Sequence, residues 1–194
     1  MPRTQPKPPI KLAKLDNERD YLTPDEMDKL INGAKKGGRY PHRDYTLLLV
    51  MYRHGLRVGE ALGLTWKDVN FTTKHLYVRR LKKGAPSNQP IYGDEVRVLR
   101  QLQRDYPDSP WVFPSERKAP LTTRTVRDIV TRAASLSGLG FSVHPHMIRH
   151  STGFYLASKG YDTRKIQDYL GHRQIQHTVR YTQLAPGQFE GLWD

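Results

Sequence analysis

Between Arg43 and Arg53 the chain carries five consecutive apolar residues, Leu47-Leu48-Leu49-Val50-Met51, the density of a buried helix. Gly55 stands two residues beyond and suits the left-handed stop of that helix, because without a Cβ it adopts positive φ at no steric cost. A helix of this kind must be enclosed by other elements, and the remaining sequence supplies them.

Thr23-Pro24-Asp25-Glu26 has a Thr N-cap, Pro at the first helical position and Glu three residues on, which together predict a capped helix to about Ala34. A second start is expected from Arg57 to Leu64, and further helices at about Asp94 to Asp105, Thr123 to Leu136 and Pro145 to Lys159, the last ended by Gly160. Asp162 caps a short helix to Leu170 that Gly171 stops, and a final helix from about Gln176 to Leu184 carries Tyr181. Leu76-Tyr77-Val78 and Gln89-Pro90-Ile91 read as short strands around a polar turn holding Lys82, Lys83 and Gly84. The expected fold class is mainly α with a small antiparallel β-sheet, with no internal repeat.

The chain has 194 residues, 37% of them hydrophobic, and no apolar run of membrane-spanning length, so one core and no membrane partner are expected. The N-terminus lacks an apolar stretch after its charges, so no signal peptide is expected. There is no cysteine, which excludes disulfides, thiolate chemistry and cysteine-ligated zinc and fits a reducing, cytoplasmic compartment. Lys and Arg number 32 against 19 Asp and Glu, a formal charge of +13 that calls for a polyanionic partner. Ribosomal and membrane-surface proteins share such a charge, so charge alone does not choose among them. The aromatic residues form no spaced stacking array for single strands, which favours duplex DNA. Residues 1–20, rich in Pro, Lys and Arg, read as a disordered basic arm, either a phosphate-neutralising extension or a linker remnant.

His146 and Arg149 stand three apart on one expected helix, so their side chains project from one face and reach one phosphate. Taken alone the pair is a solvated basic helix. It gains meaning from Gly55-Leu56-Arg57-Val58-Gly59-Glu60 upstream, from Leu170-Gly171-His172 downstream, and from Tyr181 nine residues after His172. Arginine suits the non-bridging oxygens of a phosphate because its guanidinium is a rigid fork of donors that stays charged. Glu60 lies one turn after Arg57 and is placed either to orient that guanidinium or to make an ordinary surface ion pair. His146 and His150, four apart, have the spacing of two zinc ligands, but Met147 stands where a metalloprotease has Glu and no carboxylate cluster accompanies them. No metal is expected.

In order and spacing these residues, from about Leu22 to Leu184, resemble the tyrosine recombinases, also called the phage integrase family. The resemblance implies that family's catalytic-domain fold over residues 21–185 and no cofactor. It makes Tyr181 the nucleophile that attacks phosphorus, and His146 the group that accepts or relays its proton. Arg57, Arg149 and His172 then hold the non-bridging oxygens, with Glu60 and His150 in support. The family pattern Lys-x-Gly followed by a later Pro fits Lys82, Gly84 and Pro90, so Lys82 is the expected proton donor to the leaving 5′-oxygen, with Lys83 as the alternative. The implied product is a 3′-phosphotyrosine with a free 5′-hydroxyl, which retains the bond's energy for rejoining without ATP.

Arg80 to Gly84, His144 to His150 and Ile166 to Arg173 look like the short recombinases that invert fimbrial promoter switches, the basis of phase variation. Implied partners are double-stranded DNA with inverted or directly repeated target sites, three further copies of the chain in a homo-tetramer on DNA, and DNA-bending accessory proteins. The implied location is the nucleoid of a bacterial cytoplasm. Phe189, Leu192 and Trp193 in the tail, 186–194, are apolar anchors that dock on a neighbouring protomer or on the chain's own domain. A type IB topoisomerase and a catalytically silent DNA-binding regulator are the competing functions. All three predict strongly salt-sensitive DNA binding.

Overall fold

The computed structural model of the chain describes residues 19–81 and 84–184. Eight α-helices lie within them: α1 Pro24–Gly33, α2 Pro41–Arg53, α3 Val58–Leu62, α4 Gly93–Asp105, α5 Thr123–Ser137, α6 Pro145–Ser158, α7 Thr163–Leu170 and α8 Gln176–Leu184. Three strands, β1 Val69–Asn70, β2 His75–Val78 and β3 Ser87–Pro90, form an antiparallel sheet in the order β1-β2-β3, with Leu76 opposite both Val69 and Gln89.

The helix ends follow their local chemistry. Thr23 closes the expected capping box on α1: its N–H donates to Glu26 Oε2 at 2.8 Å while its hydroxyl accepts from Glu26 N at 3.4 Å. Asp162 accepts from Lys165 N at 2.9 Å at the start of α7, and Gly171, at φ +64°, ends it. Gly55 has φ +55°, and its Cα faces the Leu170 side chain so closely that a Cβ would overlap it.

α2 is enclosed as its sequence demands, with Leu47 to Met51 all buried. Arg43 and Asp44 of its first turn are buried too: the Asp44 carboxylate accepts from Arg43 at 2.8 Å and from Arg132 of α5 at 2.7 Å. α2 packs on α4 and α6, α1 packs on α5, and one core of Leu30, Leu47, Leu48, Leu102, Val130 and Ile148 joins them. A smaller apolar cluster, Ala157, Ile166, Leu170 and Tyr181, joins α6, α7 and α8.

Three elements differ from expectation. The helix after Arg57 ends at Leu62, two residues early, because Gly63 caps it. A third strand, β1, precedes the hairpin; at two residues with one buried side chain it has no alternation to read in sequence. β3 runs Ser87–Pro90, leaving Ile91 just beyond it. Residues 1–18 of the basic arm, Lys82, Lys83 and the tail 186–194 lie outside the described residues. Among the described residues no helix is long and apolar enough to cross a membrane.

Candidate active site

The site is assembled on one buried carboxylate. Glu60, 5% exposed on α3, accepts from Arg57 Nη1 at 2.7 Å, from the Arg57 backbone N–H at 3.0 Å and from the Leu81 N–H at 3.2 Å. Oε2, the oxygen that takes the Arg57 backbone N–H, also accepts from Arg80 Nη1 at 2.8 Å and lies 3.7 Å from Arg149 Nη1. Three guanidiniums from three separate segments thus converge on one side chain, which brings Arg57 and Arg149 together. Burial alone would raise the Glu60 carboxyl, but the Arg57 N–H and the charges of Arg80 and Arg149 outweigh it and hold it below the usual carboxylate range.

Arg149, on α6, is the largest fully buried side chain. Its Nη1 donates to the Gly55 carbonyl and its Nη2 to the Leu170 carbonyl at 2.7 Å, so it bridges the C-terminal ends of α2 and α7, where helix dipoles favour a cation. Arg80, two residues past β2, does the same, donating to the carbonyls of His54 at 3.0 Å, Gly55 at 3.3 Å and Tyr169. Burial first, then repulsion from Arg57 and Arg80, pushes Arg149 down to about 9, so it stays charged at neutral pH. Arg57 is the accessible member, with 24% of its side chain exposed against 2% for Arg149.

Tyr181 sits on α8 with its ring packed in the small apolar cluster, 2% exposed, against the backbone of α6 at Gly153. Its hydroxyl is not sealed in apolar surroundings: it lies 2.7 Å from His150 Nδ1. His146 is one turn back on α6, exposed, with its ring 4.4 Å from that of His150, and the phenol's partner is therefore His150. His172, just past the Gly171 reversal, is stacked 6.2 Å from the Tyr181 ring and pairs through Nδ1 with Thr178 Oγ1 at 2.9 Å. Arg57, Glu60, His146, Arg149, His150, His172 and Tyr181 thus form one cluster. Lys82 and Lys83 are outside the described residues; the residues on either side are fixed here, Leu81 on Glu60 and Gly84 so close that a Cβ would stand 2.7 Å from the Gly171 carbonyl oxygen.

Burial and the arginine charges keep the histidines neutral. His172 is pushed down to about 3 by burial, then by Arg149 and Arg57; His150 falls to about 4 by burial, then by Arg180. His146, though exposed, is lowered as well, by the partial desolvation it has against the protein and then by Arg149. Burial raises the Tyr181 phenol despite Arg180 and Arg149 nearby. A neutral His172 that accepts from Thr178 at Nδ1 carries its proton on Nε2, free to donate to an oxyanion. Among the described residues no group of three His, Asp or Glu is arranged to hold a metal ion.

Residues 20–188 match the model of the phage integrase family. The chain belongs to that family, the tyrosine recombinases. It is 42% identical over 189 residues to the type 1 fimbriae regulatory protein FimB of Escherichia coli K12, covering 93% of each chain. It is 37% identical over 186 residues to the type 1 fimbriae regulatory protein FimE of the same strain, covering 92% of each. Among solved structures, the crystal structure of XerA recombinase superposes with a TM-score of 0.76 at 26% identity, over 89% of this chain and 63% of that one. The chain thus spans under two thirds of that longer recombinase. The XerH structure bound to its difH substrate shares the fold, with a TM-score of 0.73 at 22% identity over 90% of this chain and 53% of that one. The architecture is the family's catalytic-domain fold.

Sequence reasoning missed Arg80, Asp20 and His54. Arg80 carried a signal, since the buried alternation of Leu76 and Val78 in β2 continues to Arg80 just beyond it. His54, wedged between Gln89 at 2.8 Å and Glu95 at 3.0 Å, ties the end of α2 to β3 and α4 and carried none.

Proposed function

We propose that this chain is a site-specific recombinase that cleaves and rejoins duplex DNA through a 3′-phosphotyrosine intermediate. One observation carries the proposal: Arg57 and Arg149 share the carboxylate of Glu60 while His172 and Tyr181 stack beside them, so phosphate donors and a hydroxyl nucleophile face one place. Arg57, the accessible guanidinium, meets a non-bridging oxygen, His172 donates from Nε2, and Arg149 contributes its charge from the low-dielectric interior. His146 stands on the exposed side of His150 as the outer basic group of the proton path. Lys82, or Lys83 beside it, protonates the departing 5′-oxygen. Residues 21–185 are the catalytic domain, residues 1–20 a basic arm on the DNA backbone, and residues 186–194 a tail that docks on a neighbouring protomer in a tetramer.

The similarity to FimB and FimE supports inversion of a promoter element in fimbrial phase variation. On that reading the chain acts at inverted repeats in a bacterial nucleoid, assisted by DNA-bending proteins. The test is a nicked suicide duplex cut from a genomic site recovered with Tyr181→Phe protein. The wild type is expected to form a covalent protein–DNA adduct that persists in EDTA, and Tyr181→Phe none. An adduct with the Phe variant, or none with the wild type, refutes the assignment.

A further inference from the structure

Resting on that recombinase reading, we propose that His150 takes the phenolic proton of Tyr181 directly and that Asp20, in the segment ahead of α1, is the positioning residue that holds its imidazole. Tyr181 Oη lies 2.7 Å from His150 Nδ1, and on the far side of the ring His150 Nε2 lies 3.7 Å from Asp20 Oδ2. Hydroxyl, imidazole and carboxylate are thus in series, the order in which a base oriented by a third group activates a hydroxyl.

Asp20 is held there by its surroundings. Its carboxylate pairs with Arg180, the neighbour of the nucleophile on α8. Tyr21 stacks on Phe154 of α6 at 4.1 Å between ring centroids, and the buried Leu22 N–H donates to Ser151 Oγ at 2.8 Å. The segment is therefore strapped across α6 and α8, with its one carboxylate behind the imidazole.

The charged and titratable groups facing His150 are His146 and Arg149 from α6, Arg180 and Tyr181 from α8, and Asp20. Burial, Arg180, His146 and Arg149 all oppose an imidazolium, and Asp20 alone favours it. In the step, the Tyr181 O–H bond breaks, its electron pair forms the O–P bond, and the proton passes to His150 Nδ1. The P–O5′ bond breaks with its pair on oxygen, which takes a proton from the lysine acid proposed above. Rejoining reverses each transfer, so no co-reactant is consumed.

The full chain and the nicked duplex described above test this. His150→Gln keeps a hydrogen-bonding group near the phenol but cannot take a proton, and adduct formation is expected to fall roughly 100-fold. Asp20→Asn is expected to fall about tenfold, since a partly exposed carboxylate within reach shifts an imidazole by about one unit. Its acid limb in the rate–pH profile should also move to lower pH, because loss of the carboxylate weakens the imidazole's hold on a proton. A merely structural strap would leave that limb in place. Fluorinated tyrosine at position 181, which ionises more readily, should restore at least part of the rate in His150→Gln and none in Arg149→Lys. Wild-type rates in both His150→Gln and Asp20→Asn, an unmoved acid limb, or no restoration overturns the relay while wild-type adducts leave the recombinase reading intact. Absence of any wild-type adduct overturns both.

Discussion

Gly153→Ala separates the nucleophile's position from the stability of the fold. A Cβ at Gly153 would stand 2.6 Å from Cδ2 and 2.7 Å from Cζ of the Tyr181 ring. Carbon atoms settle at about 3.5–4.0 Å, so the ring must retreat by about 1 Å. Added to the 2.7 Å between Oη and His150 Nδ1, that movement carries the pair beyond hydrogen-bond length. Overpacking costs about 1–3 kcal/mol, and replacing glycine inside a helix returns about 1 kcal/mol, so the net loss is about 0–2 kcal/mol. A domain of this size shows that as a fall in Tm of a few degrees, about 2–4 °C per kcal/mol. The chemistry responds far more, because misplacing a reacting group by about 1 Å costs on the order of 100-fold. Thermal unfolding and single-turnover adduct formation, run on the same preparation, should show a small shift in the first and a large fall in the second. An unchanged rate, or a rate loss no larger than unfolding accounts for, would refute the contact between Gly153 and the nucleophile.

Glu60→Gln should destabilise the chain by about 3 kcal/mol in urea unfolding, since it leaves three guanidiniums facing an uncharged amide inside the protein. The Glu60 carboxyl titrates lower folded than unfolded, so this contribution is complete above the ordinary carboxylate value of about 4.3 and fades as pH falls through the folded one; the difference between wild type and variant should shrink below about pH 4. His172, neutral down to about 3 when folded, takes up a proton below about 6.5 when unfolded, so stability should decline as pH falls from about 6.5 toward 3. That decline should be shallower in His172→Asn, measured by urea midpoints across the range, and an identical slope would show that His172 is not buried neutral.

Much of this molecule was legible in the linear order of its residues because the signals are local. The Thr23 capping box, the Asp162 cap and the glycines at 55, 160 and 171 act within one helical turn, so five helix boundaries fall within a residue or two of expectation. The spacing from Arg57 to Tyr181 also named the family and nearly every member of the polar cluster. β1 has no signature in the sequence because two residues carry no period, and the helix at Val58–Leu62 stops short of the expected Leu64 because Gly63 caps it.

What folding alone decided is who touches whom. His146 and His150 stand on the same stripe of α6, and their spacing alone does not say which of them meets the phenol that the family resemblance gave to His146; the packing of α8 against α6 sets the phenol on His150. The Glu60 partner Arg80 comes from the segment after β2, 20 residues away, and Asp20 meets Arg180 across 160 residues. Such contacts depend on how helices and sheet dock, and docking is fixed by the shared core of α1, α2, α5 and α6, which no short window of sequence contains.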